Sequence, residues 1–237
     1  PPAMVRADVR PPTVEELAAI LAAADDEQFH AFLFTAATTG ARRGELCALQ
    51  WRDVDLDAGT MTIRANLAED SQGVYRKDTK NHRARTVALD EGTVSVLRDH
   101  HARCSEAALS VGSPLDGRRC VFSPRPGNDQ PYTPKVMTRR VSRLLERCGF
   151  AGLRLHDLRH FVGSQLIAAG ADPETVRQRL GHSRSSTTLS IYTHAVAGNH
   201  AREAADLIGG VVTRASTANA GGQGAARRAA RRERAAP

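Results

Sequence analysis

Hydrophobic positions along the chain fall first into helical spacing, then into a short stretch of alternation, then back into helical spacing. Thr13-Val14-Glu15-Glu16 has the Ser/Thr-x-x-Glu form of a capping box, and Leu17, Ile20 and Leu21 follow at helical intervals, so a first helix is predicted from about Thr13. The apolar run from Phe29 to Thr39 predicts a second, buried helix that Gly40 ends. From Asp53 to Leu89 the period shortens to two. Thr60-Met61-Thr62-Ile63-Arg64 alternates, Tyr75 to Lys80 is a second extended stretch, and Arg85-Thr86-Val87-Ala88-Leu89 is β-branched, which together predict one small antiparallel sheet.

Helical spacing returns from Glu91 to Leu109, with Val94, Leu97 and Leu109 on the apolar positions. Residues 111–134 are rich in Gly, Pro, Ser and Asp and read as loop, interrupted by a short strand at Cys120-Val121-Phe122. Pro134 opens a basic amphipathic helix over Lys135 to Cys148. Its predicted inner face is Val136, Val141, Leu144 and Leu145, its outer face Arg139, Arg140, Arg143 and Arg147. A further helix is predicted over His156 to Ala169. Asp172-Pro173-Glu174 places a cap and a first-position proline before a short helix that runs to Leu180 and stops at Gly181. Thr187 to His194 and Arg202 to Ile208 read as two more short helical segments. The expected fold class is therefore mainly α with a small antiparallel β-sheet, an α+β domain.

The ends differ from the middle. Residues 1–12 carry too much proline for a helix or a central strand and read as a linker from a preceding domain. From Gly209 on, the chain is Ala, Gly, Thr, Ser and Arg with little to bury, a disordered basic tail over 209–237. That leaves 13–208 as the folding domain.

Composition narrows the partners only slightly. The net charge is +7 and the pI about 9.8, values that point to a polyanion. The tail from Arg214 holds six arginines against Glu233 alone, so five of the seven charges sit there. Local clusters must carry the inference. Cys47, Cys104, Cys120 and Cys148 are scattered without a C-x-x-C pair and are expected to be reduced core thiols. No apolar run approaches the ~18–20 residues of a membrane span and no secretory segment opens the chain; a cytoplasmic protein without a membrane partner is expected.

The chemistry concentrates in Leu155-His156-Asp157-Leu158-Arg159-His160, followed by Leu180-Gly181-His182-Ser183 and Ile191-Tyr192-Thr193. His156 and Arg159, three apart, share a helix face and can offer two kinds of donor to one phosphate. His156 and His160 also have the i, i+4 spacing of a zinc pair, but the metalloprotease form needs Glu directly after the first His and Asp157 stands there. Phosphoryl transfer without a metal needs a nucleophile, donors for the non-bridging oxygens and an acid for the leaving oxygen. Tyr192 is a candidate nucleophile. A second guanidinium is available in Thr39-Gly40-Ala41-Arg42-Arg43-Gly44-Glu45, where two glycines bracket Arg42 and Glu45 stays within its reach. Lys77, Lys80, His82, Arg83 and Arg85 form a dense basic tip that could push a lysine into a DNA groove.

Taken singly, each residue has a bland reading as a surface arginine, a helix cap or a half-buried phenol. The joint order is more specific. Thr-Gly-x-Arg-x-Gly-Glu-Leu, a basic β-turn, His-x-x-Arg-His, Leu-Gly-His-Ser and then a tyrosine resembles the catalytic domain of the tyrosine recombinases, the phage-integrase family, across roughly Thr13 to Ala195. The resemblance implies that Arg42 and Arg159 clamp a scissile phosphate, that His156 acts as donor or proton shuttle, and that His182 bonds a non-bridging oxygen. It further implies that Tyr192 attacks to form a 3′-phosphotyrosyl link, that a β-turn lysine protonates the leaving 5′-oxygen, and that Glu45 and His160 support the site. The family's lysine is commonly followed by Thr; Lys80 is followed by Asn81, and Lys77 remains the alternative. Arg43, Lys77, Arg83, Arg85, Lys135, Arg139, Arg140 and Arg143 are the expected DNA contacts. The implied setting is DNA integration or excision in a mobile genetic element: no metal or other cofactor, double-stranded DNA as partner, a homotetramer on paired sites in which Arg202 to Ile208 docks on a neighbour, and an accessory DNA-bending or directionality protein. Two rivals share much of this pattern: a non-catalytic DNA-binding module, and a type IB topoisomerase-like relaxing enzyme.

Overall fold

The computed structural model describes residues 10–78 and 84–181, all within one compact unit. Helix α1 (Val14–Ala22) begins with the reciprocal cap its sequence predicts: Thr13 Oγ1 accepts from the Glu16 amide at 3.2 Å and Glu16 returns a bond from the Thr13 amide at 2.9 Å. Helix α2 (Glu27–Thr39) is capped by Asp26, which accepts from the Phe29 amide at 2.7 Å. It is buried on nearly every face, with Phe29, Ala31, Phe32, Leu33, Thr35 and Ala36 all inside. That is why its sequence shows an apolar run rather than a stripe. It packs against α4 (Glu91–Ser110) and α6 (Leu155–Ala168).

Gly40 ends α2 in the left-handed conformation, φ 65°. A Cβ there would lie 2.4 Å from Leu180 Cδ2, so glycine is needed both for the turn and for the approach of α7 (Pro173–Leu180). Helix α3 (Arg43–Cys47) follows at once.

The expected single sheet is two. Strands β1 (Val54–Asp55), β2 (Thr60–Ile63) and β5 (Arg85–Ala88) form an antiparallel sheet in the order β1-β2-β5. Strands β3 (Ala65–Asp70) and β4 (Gly73–Asp78) form a separate hairpin, registered from Ala65 opposite Asp78 to Asp70 opposite Gly73. Strand β3 escapes a propensity reading because Asn66, Glu69 and Asp70 are poor strand formers. It is a strand because Ala65 and Leu67 bury their side chains on the face that meets α3.

Three further expectations are corrected. Cys120-Val121-Phe122 is not a strand. It makes one isolated bridge, Cys120 opposite Gln50, while Val121 and Phe122 are drawn into the core. On α4, Leu109 is 65% exposed and Ala108 takes the inward place in the last turn. On α5 (Pro134–Arg147), Val136 is exposed and Met137 is buried, because Met137 and not Val136 stands four residues before Val141. The core joins α2, α3, α5, α6 and the β1-β2-β5 sheet through Phe29, Phe32, Leu46, Met61, Leu144 and Leu158. Cys47, Cys104 and Cys120 are buried free thiols and Cys148 is half-buried. Among the described residues no helix is long and apolar enough to cross a membrane.

Candidate active site

Arg42 occupies the cap position before α3, with extended backbone at φ −70° and ψ 149°. Its side chain makes no cap bond; the amide cap is supplied by Glu45, whose Oε2 accepts from the Arg42 backbone N–H at 2.7 Å. The same carboxylate accepts Arg42 Nη1 on Oε1 at 2.8 Å. Gly44 makes this geometry reachable. A Cβ there would fall 2.3 Å from Asn66 Oδ1 and 2.4 Å from the Leu67 carbonyl, so only glycine lets the first turn of α3 lie against β3.

Glu45 is 4% exposed, and it has a second cation. Arg85, at the start of β5, meets it with two bonds, Nη1 to Oε1 at 2.9 Å and Nη2 to Oε2 at 2.6 Å. Burial alone would raise the carboxyl's pKa, but the bonds and charge of Arg85, then the charge of Arg42, outweigh it and hold Glu45 below the ordinary range.

Arg159 projects from α6 and is 3% exposed. Its Nη1 donates to the Gly40 carbonyl at 2.6 Å and its Nη2 to the Leu180 carbonyl. Arg42 Nη2 donates to the neighbouring Gly181 carbonyl at 2.7 Å. Two guanidiniums from distant parts of the chain thus meet at the last turn of α7, where helix carbonyls lack intrahelical partners. Burial and the charge of Arg42 push the Arg159 pKa down to about 9, with Glu45 opposing and Arg85 adding a smaller push. It still lies above neutrality, and the group stays cationic. Among the described residues Arg42, Arg85 and Arg159 stand against Glu45 in this cluster, an excess of positive charge suited to an anion.

His156 and His160 lie one turn apart on α6 with ring centroids 5.0 Å apart, edge to face. His156 keeps solvent access while His160 is half-buried. Desolvation first, then His160 and the charges of Arg159 and Arg42, hold His156 below the usual imidazole range; His160 is lowered by desolvation and Arg159. Among the described residues no three His, Cys, Asp or Glu side chains converge as metal ligands.

These shifts have a consequence for stability. His100, buried with Nε2 2.7 Å from the Val121 carbonyl, is also lowered, chiefly by desolvation. In the unfolded chain all three rings titrate near ~6.5, so that state takes up protons first as pH falls. Their contribution is present in full above about pH 6.5 and lost below it. The urea midpoint is expected to be level from about pH 8 to about 6.5 and to fall between about 6.5 and 5, above the carboxylate range. A midpoint that stays level through that lower window would mean the folded rings accept protons freely.

The other expected contacts divide. Lys135, Arg139 and Arg143 are exposed on α5. Arg43 is exposed and donates to Thr138 Oγ1. Arg140 turns inward instead: it pairs with Asp26 at 2.7 Å and lies 4.1 Å over the Phe29 ring, tying α5 to the start of α2. Lys77 sits in β4 opposite Asn66, 5.1 Å over the Tyr75 ring, rather than in the turn. Arg85 is 14% exposed, held by Glu45 and not free for a DNA groove. Its strand explains this, because residues two apart share a face and Val87 is 2% exposed. That alternation was available in the sequence as a signal that Arg85 points inward. Lys80, Arg83, His182 and Tyr192, with the segments Thr187 to His194 and Arg202 to Ile208 and the tail, lie outside the described residues.

Comparison with known proteins gives a consistent set of likenesses. The sequence profile described as the phage integrase family matches residues 10–198. A XerC-like tyrosine recombinase of Caldanaerobacter subterraneus subsp. tengcongensis is 29% identical over 196 residues, covering 77% of this chain and 49% of that protein. The ICEBs1 integrase of Bacillus subtilis strain 168 is 27% identical over 185 residues, covering 78% of this chain and 49% of that protein. The chain therefore spans about half the length of these curated relatives. Among solved structures, the Tn1549 transposon integrase in complex with transposon right-end DNA has a TM-score of 0.69 at 19% identity, over 84% of this chain and 67% of that one. The XerA recombinase has a TM-score of 0.62 at 22% identity, over 82% of this chain and 65% of that one. At these identities the structural likeness concerns the fold: the α+β architecture is that of tyrosine recombinase catalytic domains.

Proposed function

The chain belongs to the phage integrase family, and from that premise we propose that it is the catalytic domain of a site-specific DNA recombinase that cleaves and rejoins double-stranded DNA through a 3′-phosphotyrosyl intermediate. The observation that carries this reading is the meeting of Arg42 and Arg159 at the end of α7, with a single carboxylate among the three guanidiniums described there and, on the same helix as Arg159, a histidine whose pKa burial and neighbouring positive charge lower. A binding module needs positive charge at its surface. Here instead two guanidiniums from distant parts of the chain converge on one helix end.

The mechanism follows from charge. Arg42 and Arg159 neutralise the non-bridging oxygens of the scissile phosphate as charge builds on them. His156 and His182 add donors. The Tyr192 oxygen attacks phosphorus and passes its proton to His156 as the shuttle; a P–O bond to tyrosine forms as the bond to the 5′-oxygen breaks, and Lys80 protonates that leaving oxygen. A phenol of pKa about 10 is also a fair leaving group. A 5′-hydroxyl can therefore attack the phosphotyrosine, expel Tyr192 and reseal the strand with no external energy source. Lys135, Arg139 and Arg143 on the exposed face of α5 contribute phosphate contacts, which makes affinity strongly salt-dependent. By kinship with the family, two duplexes would be held by a homotetramer, with an accessory DNA-bending or directionality protein setting the direction.

The test is an adduct. Incubating the chain with nicked duplex in EDTA and quenching with SDS is expected to leave protein joined to a 3′-phosphate, and peptide mapping should place the link on Tyr192. A link to a 5′-phosphate, a link on another residue, or an adduct that forms only with added divalent metal would overturn the reading.

A further inference from the structure

The Arg85 guanidinium lies flat against the backbone of Gly181. A Cβ on Gly181 would fall 2.7 to 2.9 Å from Nη1, Cζ and Nε of Arg85, and Gly181 also has φ +64°. Nε of Arg85 donates to the Arg179 carbonyl at 3.2 Å while both terminal nitrogens hold Glu45. Each nitrogen of this group is thus engaged by Glu45 or by a carbonyl of α7, and one face lies on Gly181. Such a fit places the guanidinium far more tightly than charge neutralisation would require.

The carboxylate it holds has a choice to make. Oε1 of Glu45 accepts from Arg42 Nη1 and from Arg85 Nη1, and Oε2 accepts from Arg85 Nη2 and the Arg42 amide. With Arg85 absent, a carboxylate with 4% exposure would lose two of its four bonds. A replacement donor on a group already bonded to Glu45 is the second terminal nitrogen of Arg42, in the bidentate pairing that carboxylate and guanidinium prefer. Arg42 Nη2 would then be drawn from the Gly181 carbonyl, and from the position where it can serve an anion.

We propose that Arg85 is a positioning residue for this site: by occupying both oxygens of Glu45 and lying on Gly181, it keeps Nη2 of Arg42 at the Gly181 carbonyl, with its second N–H left for the scissile phosphate. The proposal rests on the reading of Arg42 as a phosphate clamp. Arg85 touches no substrate; it acts through Glu45. It also links the first residues of β5, which follow the segment carrying Lys80, to the residue before His182.

The experiment measures the first-order rate of adduct formation at saturating duplex for wild type, Arg85→Ala and Arg85→Lys, each also in an Arg42→Ala background. Arg85→Ala is expected to be ~10²-fold slower with the duplex Kd little changed, since misplacing a group by about 1 Å costs this much. Arg85→Lys keeps the charge but cannot form the two-point grip, and should be roughly 10-fold slower; it serves also if Arg85→Ala does not fold. In the Arg42→Ala background the cost of removing Arg85 should largely vanish, because two residues acting as a unit are not additive. A second readout is the pH profile. Glu45 faces Arg85 from β5, Arg42 from the start of α3 and the charge of Arg159 from α6; with Arg85 gone its carboxyl titrates higher, and the rate gains an acid-side limb that begins at higher pH than in wild type.

An Arg85→Ala protein that cleaves at the wild-type rate overturns the proposal, and so does an equal loss with and without Arg42. A loss confined to duplex Kd also overturns it and makes Arg85 a DNA contact. If wild type itself forms no adduct, the functional reading falls and this proposal with it; if wild type reacts and Arg42→Ala reacts equally fast, the clamp assignment is the part that fails.

Discussion

Arg159→Ala is expected to slow cleavage by ~10³–10⁵, the range over which an arginine stabilises a phosphoryl-transfer transition state. It should also destabilise the fold. The side chain is 3% exposed and satisfies the Gly40 and Leu180 carbonyls, and each buried acceptor left without a partner costs about 1–3 kcal/mol. The two effects separate with Arg159→Lys. A lysine keeps the charge but presents a compact ammonium that cannot span the two carbonyls and a phosphate with a planar fork, so much of the rate loss should persist. The measurements are the adduct rate at saturating duplex and the urea midpoint of each variant. A lysine variant that cleaves within a few-fold of wild type would reduce Arg159 to a generic positive charge.

Lys80→Ala is expected to slow cleavage by ~10²–10⁴, the usual worth of a general acid. A duplex with a 5′-thiolate leaving group at the scissile position needs no acid, so it should restore most of that rate in the variant while giving wild type little gain. Failure of the thiolate to rescue would remove Lys80 from the acid role. The same substrate should leave Lys77→Ala almost unaffected, since Lys77 lies in the β3–β4 pairing over Tyr75 and is assigned no proton transfer.

Helices were legible wherever capping and spacing agreed. The Thr13 box, the Gly40 stop and the Asp172-Pro173 start of α7 all lie where the sequence places them, because caps are local devices set by a few neighbouring residues. Strand identity was less legible. The hairpin partner β3 is polar along much of its length, and what makes it a strand is contact with α3 and β4, both supplied by the fold. The inner face of α5 slipped by one residue at Val136 for a related reason: two adjacent apolar residues compete, and only packing chooses Met137.

Site chemistry divides along the same line. The order of residue types along the chain, through its resemblance to the tyrosine recombinases, was enough to single out Arg42, Glu45, His156 and Arg159 as candidates, because local motifs carry them. The sequence by itself also determined that Gly40, Gly44 and Gly181 are glycines, without saying what presses on them. Only the tertiary structure decided that Leu180, Asn66 and Arg85 do so, that the carbonyls ending α7 are shared between Arg42 and Arg159, and that Arg85 serves Glu45 while Arg140 serves Asp26. The physical reason is range. A cap or a turn is written within four residues, whereas the partner of a buried charge is whatever the fold brings within about 3 Å, and here Arg85 lies 40 residues from Glu45 and Arg140 lies 114 from Asp26.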